Sequence, residues 1–86
     1  MASSAHGQLS AGQVTTVRID AGYAGIEVVN RDQSAEMWVR LDGQDPVVGA
    51  PDSFVVLGAR AFTTGRRAVT VTLVSDQALH YSVEAA

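Results

Sequence analysis

Two histidines, His6 and His80, are the only side chains in this 86-residue sequence suited to proton transfer near neutral pH. A serine nucleophile needs such a base beside it and a third group to orient the base, yet the sequence holds no Gly-x-Ser-x-Gly turn. His6 falls in a stretch rich in Ser, Ala and Gly, where a base has no fixed position. His80 falls in an alternating segment, on the face opposite Leu79 and Tyr81, and reads as a solvated or interface imidazole. Asp42, Asp45 and Asp52 are close in sequence but lack the Asp-x-Asp-x-Asp-Gly spacing that wraps calcium. Turn chemistry accounts for them, because a carboxylate there accepts neighbouring backbone N–H groups. The chain has no cysteine for thiolate ligation or disulfides and no glycine-rich phosphate cradle of either common nucleotide-binding type. The expectation is a non-enzymatic protein without a cofactor or a metal.

Recognition is better supplied than catalysis. Arg66 and Arg67, with Arg60 nearby in sequence, form the densest basic group and suit bidentate binding of a carboxylate or phosphate; the plainer reading is a polar turn that aids solubility. Trp38 shares a strand face with Glu36 and Arg40, so it is either half exposed and available to a partner or packed inside a second sheet. Trp and Arg are preferred anchors of protein interfaces. The candidate partner contacts are therefore Trp38, Arg40, Arg66 and Arg67, together with Leu9, where an N-terminal arm meets the domain. A formal charge of −3, with six Arg, no Lys and nine acidic residues, argues against broad binding to nucleic acid or to an anionic membrane.

The elements that must position these residues follow a period of two, the signature of half-buried strands. Val17 and Ile19 oppose Thr16 and Arg18 within 14–19; Ile26, Val28 and Asn30 oppose Glu27, Val29 and Arg31; Met37, Val39 and Leu41 oppose Trp38, Arg40 and Asp42. Pro46, Gly49 and Pro51 make 42–53 an irregular loop, a plausible contact surface. Phe54 to Leu57 is a short apolar run expected to be buried on both faces, and 58–64 either continues it or bulges away. Gly65, Arg66 and Arg67 read as a hairpin connection into the alternating segment 69–75, and Leu79, Tyr81 and Val83 alternate with His80, Ser82 and Glu84 in the last strand.

Six or seven short strands with no helical period predict an all-β fold, a small antiparallel β-sandwich or barrel. Residues 1–8 are expected to be a flexible or partner-bound N-terminal arm and 9–86 a single β domain. The start lacks the basic and apolar regions of a secretory signal, and no apolar run approaches a membrane span, so the chain is expected to be soluble, with no membrane partner. A domain of this size is marginal alone, which favours a protein that works with partners.

A resemblance runs along 9–84. Val28-Val29-Asn30-Arg31, Glu36-Met37-Trp38-Val39-Arg40-Leu41-Asp42-Gly43, Pro46-Val47-Val48-Gly49, Val71-Thr72-Leu73-Val74-Ser75 and Tyr81-Ser82-Val83-Glu84 resemble a recurrent type of small tailed-bacteriophage virion protein. In that type an aromatic-Val strand runs into Asp-Gly, a loop with Pro and Gly follows, and a closing hairpin ends in Tyr-x-Val-Glu. The resemblance implies a virion structural role, most of all a capsid decoration (cement) protein: made in the host cytoplasm, located on the capsid surface, and partnered with the major capsid protein and with itself as a homo-oligomer. It supplies no functional residues. The alternatives are a minor head, head-tail connector or tail component and, from another class, a carbohydrate-binding β module using Trp38 as its platform.

Overall fold

A computed structural model describes residues 4–32, 35–65 and 67–86. The described residues contain eight strands and no helix: β1 (Ser4–Leu9), β2 (Thr15–Asp20), β3 (Ile26–Asn30), β4 (Met37–Arg40), β5 (Phe54–Val56), β6 (Ala59–Phe62), β7 (Ala68–Val74) and β8 (Leu79–Ala85). They form two four-stranded antiparallel sheets, ordered β1-β8-β3-β6 and β2-β7-β4-β5. The sandwich expected from the alternation is present. The strands beyond the expected six or seven come from the start of the chain and from the stretch after Leu57.

The order follows from one long hairpin rolled across itself. Its tip is the loop between β4 and β5, and behind the tip β3 pairs with β6, β2 with β7 and β1 with β8. Ser4 faces Glu84, Thr15 faces Leu73 and Ile26 faces Phe62, and in all three ladders the two residue numbers have the same sum. The ribbon thus keeps one register through two crossings between the sheets. Two further ladders, β3 with β8 and β4 with β7, close the roll. This is the strand order of a jelly roll. Only the β4–β5 connection joins neighbours within one sheet, so the connection from β6 to β7 passes between the sheets and is not the expected hairpin. A glycine turn signal reports that the chain turns and leaves open which sheet it enters.

Inward rows fill the interior. Leu9, Ile26, Val28, Leu79 and Val83 from the first sheet meet Ile19, Met37, Val39, Val71 and Leu73 from the second, all essentially solvent-free. Burying side chains of this size contributes roughly 1.5–3 kcal/mol each. The stretch expected to be an arm is part of this structure from Ser4 onward: β1 lies antiparallel on β8, with Ala5, Gly7 and Leu9 turned inward. Glycine suits position 7, because a Cβ there would stand 2.8 Å from the Tyr81 hydroxyl and force that side chain to shift.

The register changes once. Met37 faces Val56 instead of Pro51, the residue that the common register would place there, a slip of five residues. The surplus is the 31–36 connection, set against only Leu57 and Gly58 on the opposite side of the ribbon. Asn30, third in the inward row of β3 and 1% exposed, spans the slip. Its Nδ2 donates to Ala35 O at 2.6 Å and Val56 O at 3.1 Å, its Oδ1 accepts from Asp32 N at 3.0 Å, and its backbone N donates to Gly58 O at 2.6 Å. Ser75, fully buried, holds the adjacent carbonyl: its Oγ donates to Glu36 O at 2.7 Å.

Replacing Asn30 by Ala leaves two buried carbonyls and one N–H without these partners. The expected loss is about 2–4 kcal/mol of unfolding free energy, measured by urea denaturation. A loss below about 0.5 kcal/mol, the range of ordinary surface substitutions, would show that the side chain does not brace the slip.

Candidate functional site

Three surface features combine polar or aromatic groups. The first lies on the outer face of the first sheet, where pleat alternation turns His6 of β1 and Ser82 of β8 outward directly opposite each other. His6 Nδ1 and Ser82 Oγ are hydrogen-bonded at 2.7 Å, Arg31 Nη1 donates to the same hydroxyl at 3.3 Å, and Glu84 Oε1 stands 4.0 Å from His6 Nε2. With the imidazole neutral and its hydrogen on Nε2, the Ser82 hydroxyl accepts from Arg31 and donates to Nδ1. An open depression of about 590 Å³ beside this cluster is bordered by His6, Gln8, Arg31 and His80. A base on a hydroxyl is the geometry that activates a nucleophile. Here the hydroxyl belongs to a residue only 3% exposed, and β8 is flanked by β1 and β3, so its backbone N–H groups belong to ladders and do not converge on a reacting atom above Ser82. What the cluster does is tie β1 and β8 to the residue that follows β3, across the outer face of the sheet.

The second feature is the outer face of the second sheet. Met37 and Val39 point into the core, so Trp38 and Arg40 point outward. Trp38 is half-buried between the register partners Val55 and Val74, and its Nε1 is buried with no acceptor among the described residues. Arg40 donates to Asp42 from Nε at 3.0 Å and from Nη2 at 2.5 Å, and from Nη1 to Asp52. The guanidinium thereby clamps both ends of the 42–52 loop. Thr72 adds a second hold, its Oγ1 donating to Gln44 O at 2.6 Å. The bond from Arg40, before any other cause, holds the Asp42 carboxyl down at about 2 from an ordinary 3.8, and the same bond raises the Arg40 guanidinium.

The third feature is the lateral seam where edge strands β5 and β6 lie on the same side of the sandwich. The Phe54 and Phe62 rings meet edge to face with centroids 5.2 Å apart, and the Arg60 guanidinium covers both, 4.9 and 5.4 Å from their centroids. Phe54 to Leu57 is not buried on both faces: Phe54 is 41% and Leu57 57% exposed. β5 is an edge strand, and the chain leaves its sheet at Leu57. Val47 and Val48 are also exposed, so among the described residues four of the five exposed large apolar side chains belong to the segment 47–57.

The expected contact residues are therefore dispersed. Leu9 is fully buried in the core and has no surface to offer. Trp38 and Arg40 share an outer face, but Arg40 is occupied by its own loop. Arg67 is exposed, Arg60 has left the basic group for the aromatic seam, and Arg66 lies outside the described residues. Asp42 and Asp52 converge on Arg40, and no group of three potential metal ligands occurs among the described residues. Sequence reading passed over His6 with Ser82, which are 76 residues apart, and the exposure of 47–57. The short apolar run ending at Leu57 and Gly58 was the available signal for the latter.

Comparisons with protein-family models, with curated proteins and with solved structures return no match to this chain.

The Arg40 clamp has a pH signature. Because the Asp42 pKa is lowered in the folded protein, its stabilising contribution is present above the ordinary value of 3.8 and is lost as the pH falls through about 2. Carboxyl-carbon NMR should place the Asp42 midpoint near 2 in the native chain and back toward 3.8 in Arg40→Gln. An unchanged midpoint in the variant would remove Arg40 as the cause.

Proposed function

We propose that this chain is a non-enzymatic bacteriophage virion structural protein, a capsid decoration protein that binds the outer surface of the shell and braces it. The observation that carries the reading is the exposed apolar segment 47–57: Val47 and Val48 on the tip loop, and Phe54 and Leu57 at the seam where Arg60 caps the ring pair, come from one stretch of chain. Apolar side chains concentrated in one surface segment favour contact with another protein. The loop that presents Val47 and Val48 is held in shape by Arg40, Thr72 and the Val47 N–H donating to Ser53 Oγ at 3.4 Å, so less conformational freedom is lost on docking.

Two further considerations support the reading. Jelly-roll sandwiches recur in viral shell domains, an analogy of fold, and the virion-protein resemblance spans 9–84 of the sequence. Weak contacts of a small domain also gain strength when a shell repeats them many times.

Quantitative mass spectrometry of purified particles that encode this chain tests the proposal. Decoration predicts copies in a ratio comparable to the major shell protein. A ratio far lower would assign the chain to the connector or tail and overturn decoration, and absence from particles would overturn the virion role altogether.

A further inference from the structure

We infer that β1 pairs edge to edge and antiparallel with β1 of a second copy of this chain, merging two copies of the first sheet into one continuous eight-stranded sheet. β1 is bonded on one side only. Its ladder partner is β8, and no other backbone or side-chain group among the described residues bonds to its amides or carbonyls. An open edge of this kind is a template for another strand, and proteins commonly block it with Lys, Pro, charge, a bulge or extreme shortness. Ser4-Ala5-His6-Gly7-Gln8-Leu9 has six residues, with no Pro, Asp, Glu, Lys or Arg.

The other three edges are protected. β2 carries Arg18 and Asp20 on its outward row, β5 has three residues, and β6 has four with Arg60 among them. Their defences make the unguarded β1 the place where a strand can be added.

A second copy is the occupant because the strand is self-complementary. A two-fold axis sets each residue opposite one of its own kind of row, since residues facing across an antiparallel ladder point to the same side. Two registers satisfy this with long overlap: one centred on His6 facing His6 of the second copy, the other on Gly7 facing Gly7 of the second copy. In both, the outward row of Ser4, His6 and Gln8 meets itself, and so does the inward row of Ala5, Gly7 and Leu9. Neither sets two permanent charges opposite each other. The nearest carboxylate on this face is Glu84, which sits one strand back on β8. The half-buried Ala5 gains cover from the neighbouring inward row. This pairing uses the side of the sandwich away from the β5–β6 seam, so it stands or falls apart from the shell-binding reading.

Sedimentation equilibrium of the full chain tests it, comparing wild type with His6→Lys/Gln8→Lys. Both side chains are exposed, and in either register lysines stand face to face, position 6 against itself or position 6 against position 8. The wild type should dimerise, the variant should bind itself at least about tenfold more weakly, and an equimolar mixture with His6→Glu/Gln8→Glu should recover a heterodimer. In the wild type alone, alternate β1 amides should exchange more slowly as concentration rises, which decides the matter even if a variant fails to fold. A wild type that stays monomeric, a lysine variant that dimerises as well as wild type, a mixture that does not associate, or concentration-dependent protection at 47–57 or β2 in place of β1 would each overturn the inference. A failed particle assay would leave these results unchanged.

Discussion

The structure depends on how one hairpin ribbon is allowed to change register without opening its core. Three ladders share one register, and the fourth is displaced by five residues. A slip exposes backbone groups that neither flanking ladder can satisfy, and buried unsatisfied groups are costly. Asn30 resolves this locally, because a carboxamide carries two donors and an acceptor on one planar group. It bonds forward to the 31–36 connection and across to Val56, so the two sides of the slip are held by a single residue.

The surface follows from that arrangement. The short side of the slip, Leu57 and Gly58, moves the chain between sheets in two residues, which leaves Leu57 exposed and sets Phe54 against Phe62 across the seam. Arg60 lies over both rings and lets an apolar edge face water without joining a neighbour's sheet. At the ribbon tip, Arg40 and its two aspartates hold the loop that carries Val47 and Val48. The opposite side of the sandwich has no such cap among the described residues. A held loop on one side and an open backbone edge on the other suit the contact role proposed above.

Much of the architecture was legible in alternation. Met37 and Val39 against Trp38 and Arg40, or Ile26 and Val28 against Glu27, reveal both strand and face, because one row must be apolar to be buried. β1 was not legible for the same reason: its inward row holds Ala5 and Gly7 before Leu9, so one large apolar residue is too few to show the pattern, and the Tyr81 ring lies where a side chain at Gly7 would go. That reason is tertiary. The Gly65–Arg67 turn marked a reversal but not its destination, and Phe54 to Leu57 looked like buried strand because an edge strand and a central one share the same residue types. The His6, Ser82 and Arg31 cluster joins distant parts of the chain and left no local trace.

The most direct test of this account is hydrogen exchange of the side-chain amides, followed by NMR under native conditions. If Asn30 spans the slip inside a closed core, its Nδ2 protons should exchange at least about a hundredfold more slowly than those of the exposed Gln8 and Gln44, in line with core backbone amides. Exchange at the same rate as Gln8 and Gln44 would mean that the slip opens freely, and the account built on Asn30 would be contradicted.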